Sequence, residues 1–184
     1  MQAQGLNLRN LTFLVASQNA FYSQIVLRIL HSFGAGVAVE ARDAPSALQI
    51  LYNNKIDALI CDYALPPKGG IDFVRSIRAD PHNPRRTIPI LVMAGDPKMS
   101  IINEARNAGA NMVVGKPISP AVLFDRLVWI AHRARKFYES DDYFGPDRRV
   151  RFEGFPGGKR RRKDDPAEAA GDDRAAAEAE KATA

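Results

Sequence analysis

The chain has 184 residues and a formal net charge of +5, a length that suits one medium domain with an extension. A single cysteine, Cys61, excludes an internal disulfide and any multi-cysteine metal site and fits a reducing cytosol. Residues 1–10 carry no apolar signal core, and no apolar run approaches the roughly 20 residues of a membrane helix, so the expectation is a soluble cytoplasmic protein.

Residues 11–16 are a short apolar run of strand formers. Phe21, Ile25, Val26, Ile29 and Leu30 then recur at helical spacing until the Gly34 to Gly36 break. Residues 37–40 suit a second strand, and Pro45 opens a helix with Leu48 and Leu51 on one face. A third strand, residues 58–61, runs into Asp62, and Ile71, Phe73, Val74 and Ile77 mark a helix that ends before Pro81. Residues 88–93 are the most hydrophobic strand candidate. A helix through Ile101, Ile102 and Ala105 stops at Gly109, residues 112–114 form a fifth strand, and Ser119-Pro120 caps a helix carrying Leu123, Leu127, Val128 and Ile130.

Five short strands separated by helices imply an α/β fold. Its five-stranded parallel sheet is covered on both faces, because each parallel pair needs a long crossover. In such doubly wound sheets polar ligands meet the carboxyl ends of the strands. Asp62, Ala94-Gly95 and Lys116-Pro117 all fall there.

The stretch Leu59-Ile60-Cys61-Asp62-Tyr63-Ala64-Leu65-Pro66, then Gly69-Gly70, and later Val114-Gly115-Lys116-Pro117 resemble the acceptor and lysine loops of CheY-like response-regulator receivers. The resemblance covers about two thirds of the chain, residues 11–136. It implies a flavodoxin-like strand order 2-1-3-4-5, Asp62 as phosphoacceptor, Lys116 as the phosphate-pairing lysine, and a cis peptide before Pro117. Receivers also use an acidic pair after the first strand to hold Mg²⁺, a hydroxyl residue after the fourth and an aromatic in the fifth. Here those positions are Ser17 and Gln18, Ala94, and Val113. With Asp62 as the only acidic ligand, Mg²⁺ is expected to bind weakly.

Two readings of function follow from the resemblance. One is a pseudo-receiver in a two-component phosphorelay, acting through protein contacts with a kinase or downstream target. The other is a single-domain response regulator that is phosphorylated on Asp62. An independent enzyme is not expected beyond self-phosphotransfer, for no nucleophile with a base, metal cluster or phosphate-cradling loop is apparent. Cys61 reads as a small core residue. His31, His82 and His132 lack the mutual spacing of a metal site.

Charge separates into blocks beyond residue 130. Residues 137–163 read as an extended basic segment with an imperfect repeat, Phe144-Gly145-Pro146-Asp147-Arg148-Arg149 and Phe155-Pro156-Gly157-Gly158-Lys159-Arg160-Arg161. Arg148, Arg149, Arg151, Arg160, Arg161 and Arg162 are its anion-binding candidates, for nucleic acid or a small ligand such as a cyclic dinucleotide. Docking on the receiver or a partner, and a merely solvated linker, are the competing expectations. Residues 164–184, rich in Ala, Asp and Glu, read as a disordered acidic tail.

Overall fold

The computed structural model describes residues 7–132, 135–140 and 143–147. Its elements alternate: β1 (Thr12–Ala16), α1 (Ala20–Ser32), β2 (Val37–Ala41), α2 (Ala44–Asn53), β3 (Ala58–Asp62), α3 (Gly70–Ala79), β4 (Ile90–Ala94), α4 (Met99–Ala108), β5 (Met112–Gly115) and α5 (Pro120–His132). The five strands form one parallel sheet in the order β2-β1-β3-β4-β5, the flavodoxin-like arrangement expected from the sequence.

Side chains alternate across the sheet, and this period of two builds two cores. Phe13, Val15, Ile60, Leu91 and Met93 face Val26, Leu30, Leu123 and Leu127 of α1 and α5. Leu14, Ala16, Leu59, Cys61, Ile90 and Val92 face Leu51, Phe73, Val74, Ile77 and Ala105 of α2, α3 and α4. Strands buried on both faces read as continuous apolar runs, which is why they were legible in the sequence.

Local signals set the helix ends. The Asn19 side chain accepts from the Tyr22 amide at 3.0 Å and starts α1, Asp43 accepts from the Ser46 amide at 2.7 Å and starts α2, and Ser119 accepts from the Val122 amide at 3.3 Å in α5. Gly109 closes α4 in the left-handed region at φ +99°. One apolar position differs from its expected role. Phe21 is 77% exposed, because it sits in the first turn of α1, on the side away from the sheet.

A further pair of strands was not expected. Within the segment read as extended, β6 (Phe137–Ser140) and β7 (Tyr143–Pro146) pair antiparallel, and β7 packs on α3 and α4. The anchor is Arg78, 2% exposed. Its guanidinium donates to the carbonyls of Gly109 (3.1 Å), Ile88 (2.7 Å) and Arg86, and to Asn111 Oδ1 (3.3 Å). The Phe137 ring covers it at 5.1 Å, and Arg86 lies 3.4 Å from the centre of the Phe144 ring. Burial lowers the Arg78 pKa to about 9, with nearby Tyr143 acting in the opposite direction, so the side chain is a cation at neutral pH. A Cβ on Gly145 would come within 3.0 Å of Gly109 Cα and 2.5 Å of Tyr143 Oη, so only glycine fits where the hairpin meets the end of α4. The corresponding place in the second repeat copy is Pro156, so the two copies are not interchangeable on this seat.

Candidate functional site

Asp62 closes β3 at the carboxyl edge of the sheet and is 5% exposed. Parallel register places it beside Met93, with Ala16 of β1 level with Cys61. Ser17 and Lys116 therefore converge on it from the ends of β1 and β5. The Ser17 hydroxyl donates to Asp62 Oδ2 at 2.8 Å, and the Lys116 ammonium donates to the same oxygen at 2.5 Å. Oδ1 accepts from the Ala64 amide at 3.1 Å. A buried carboxylate needs such donors and a countercharge to offset its lost hydration, and Asp62 has both.

Each neighbour is itself held. Ser17 is fully buried; its amide donates to the Ala41 carbonyl at 3.0 Å and its Oγ accepts from the Asn19 amide at 3.3 Å. The Lys116 amide donates to the Ala94 carbonyl at 2.8 Å, and the Lys116-Pro117 peptide is cis, as the resemblance implied; so is Pro66-Pro67. Gly70 is required close by, since a Cβ there would lie 2.0 Å from the Asp62 carbonyl oxygen. Ala94 is buried beside the site with no polar group to offer. Gln18 is exposed, and Val113 is half-buried against the α2, α3 and α4 side of the core.

These donors do not fit a hard divalent cation. Mg²⁺ takes carboxylates and water, whereas here one carboxylate has an oxygen engaged by both a hydroxyl and an ammonium, and the next residue is an exposed amide. Among the described residues no group of three His, Cys, Asp or Glu side chains is placed to hold a metal. The Cys61 thiol is buried; burial and the adjacent Asp62 charge raise its pKa, with Lys116 opposing, so it remains a protonated core side chain.

Tyr22 was missed by sequence reasoning. Its ring lies 4.8 Å from Lys116 Nζ, and its phenol oxygen accepts from the Ile118 amide at 2.9 Å. No local motif announces an aromatic whose partner is 96 positions away. Of the tail candidates, Arg148, Arg149, Arg151, Arg160, Arg161 and Arg162 all lie outside the described residues.

With this geometry in place, the comparisons with known proteins converge. Residues 13–128 match the response regulator receiver domain family. The chain belongs to that family. Its relatives include the chemotaxis protein CheY of Pseudomonas aeruginosa, 33% identical over 110 residues, covering 60% of this chain and 87% of the relative. CheY-3 of Vibrio cholerae is 30% identical over 125 residues, covering 68% and 95%. A solved response regulator from Chloroflexus aurantiacus superposes with a TM-score of 0.61 at 30% identity, over 66% of this chain and 98% of that one. The chain thus carries a CheY-like receiver domain of two-component signalling, a class of module that is generally not enzymatic. Among the described residues no helix is long and apolar enough to cross a membrane.

Proposed function

We propose that this receiver is a pseudo-receiver, a cytoplasmic signalling module that binds a kinase or downstream target through protein contacts and does not cycle through phosphorylation of Asp62. One observation carries the reading: Asp62 Oδ2 is shared by Ser17 Oγ and Lys116 Nζ, a hydroxyl donor standing where a receiver places a metal-binding acid. Phosphoryl transfer depends on positioning and neutralisation of charge. Loss of a single preorganised donor costs on the order of 10²–10³-fold in rate, and here Ser17, Gln18 and Ala94 all replace contributing groups. The fold needs none of those groups, so the binding surface survives their loss.

The retained Asp62 and Lys116 support the second reading, a phosphorylation-competent regulator. Intact mass after incubation with Mg²⁺ and a small phosphodonor, with and without a histidine kinase, separates the two. The pseudo-receiver reading predicts no phosphoryl adduct that depends on Asp62. An adduct on the wild-type chain that is absent from Asp62→Ala overturns it.

A further inference from the structure

Tyr22 touches both ends of the tripeptide that carries Lys116. The face of its ring lies against the ammonium, where the ring quadrupole attracts a cation, and its phenol oxygen accepts from the Ile118 amide directly after the Lys116-Pro117 peptide. Its own position is fixed by the Asn19 cap on the first turn of α1. Ile118 is buried, and the next residue, Ser119, caps α5. One side chain from α1 thereby links the cation that neutralises Asp62 to the backbone that starts α5. Lys116 has no other aromatic contact among the described residues.

We propose that Tyr22 is a positioning residue that couples the charge state of Asp62 to the start of α5. While Asp62 is a carboxylate, Lys116 stays within reach of both Oδ2 and the Tyr22 ring. A change that neutralises Asp62 or engages it elsewhere frees Lys116, removes the cation from the ring, and loosens the Tyr22 bond to Ile118. The response is read at residues 117–122. This rests on the reading of Asp62 as a metal-free ion-pair centre, but it is tested separately. A phosphoryl adduct would defeat that reading without touching the coupling, and a failed coupling would leave the pseudo-receiver intact.

The test is amide exchange and Tyr ring resonances by NMR on the full chain in four forms: wild type, Asp62→Asn, Tyr22→Phe and the double variant. Asp62→Asn alone should shift the Tyr22 ring signals and speed exchange of the Ile118 amide about tenfold or more. In the Tyr22→Phe background, which keeps the ring and lacks the acceptor, Ile118 should already exchange fast, and Asp62→Asn should add less than about twofold. Equal acceleration by Asp62→Asn in both backgrounds, or in neither, overturns the coupling. Should Tyr22→Phe fail to fold, unmoved Tyr22 ring signals in Asp62→Asn alone overturn it as well.

Discussion

The Ser17 hydroxyl donates to Asp62 Oδ2 at 2.8 Å while accepting from the Asn19 amide at 3.3 Å, so one fully buried side chain ties the acceptor carboxylate to the entry of α1. Ser17→Ala removes both bonds and leaves the Asn19 amide and part of the buried Asp62 carboxylate without these partners. The expected cost is about 1–2 kcal/mol of stability, read as a lower urea midpoint with unchanged slope. An unchanged midpoint would show that the hydroxyl holds nothing.

Lys116→Met should cost more, about 3 kcal/mol, because it strands a carboxylate that is only 5% exposed. The loss should be non-additive. Combining it with Asp62→Asn removes the stranded charge and should recover at least about 1 kcal/mol relative to the sum of the single variants. A double-mutant cycle by urea unfolding measures this, and strict additivity would mean the ion pair contributes no coupling.

Arg78 makes a different kind of contact, bonding four acceptors on the segments around β4 and β5 beneath the hairpin. A lysine has one ammonium and cannot span that fork. Arg78→Lys and Arg78→Met should therefore both cost about 3 kcal/mol or more and expose the amides of residues 137–140, 143–145 and 147 to hydrogen exchange. Wild-type stability in Arg78→Lys would reduce the site to simple charge.

The Tyr22 phenol has its pKa raised above the ordinary 10.0, chiefly by burial, with the Ile118 bond opposing and the Asp62 charge adding. A group held protonated more tightly in the folded than in the unfolded state contributes stability that is intact below pH 10 and lost as pH climbs through the folded value. Tyr22→Phe should lose about 1 kcal/mol at neutral pH with the Ile118 bond. That deficit should narrow above about pH 10, where only the wild-type chain has this phenol to ionise. Urea unfolding across that range tests it, and a widening deficit would contradict the sign.

The five strands and the place of Asp62 and Lys116 at their carboxyl ends were legible because both follow from patterns local in sequence, apolar strands buried on two faces and polar residues where they end, whereas the sheet order followed from the family resemblance. Phe21 misled because helical spacing does not say where α1 begins relative to the sheet edge. The β6–β7 hairpin was hidden for another reason. Its Pro and Gly content reads as extended chain, while what folds it is Arg78, Arg86 and Gly109, whose contribution exists only once α3, α4 and the loop before β4 are assembled. Tyr22 belongs to the same class, a residue whose role is fixed by a partner at the far end of the domain.

A hydroxyl and an ammonium hold Asp62 where a receiver would hold a metal, and this arrangement is tested most directly by Mg²⁺ titration of the full chain followed through amide shifts. The wild-type chain should show no saturable shift at residues 17, 62–64 and 116 up to about 10 mM, because Asp62 alone makes a poor octahedral site. Ser17→Asp, which restores one acid, should gain one. Saturable Mg²⁺ binding by the wild-type chain at those residues, in the low millimolar range or tighter, would show instead that Asp62 remains a metal ligand.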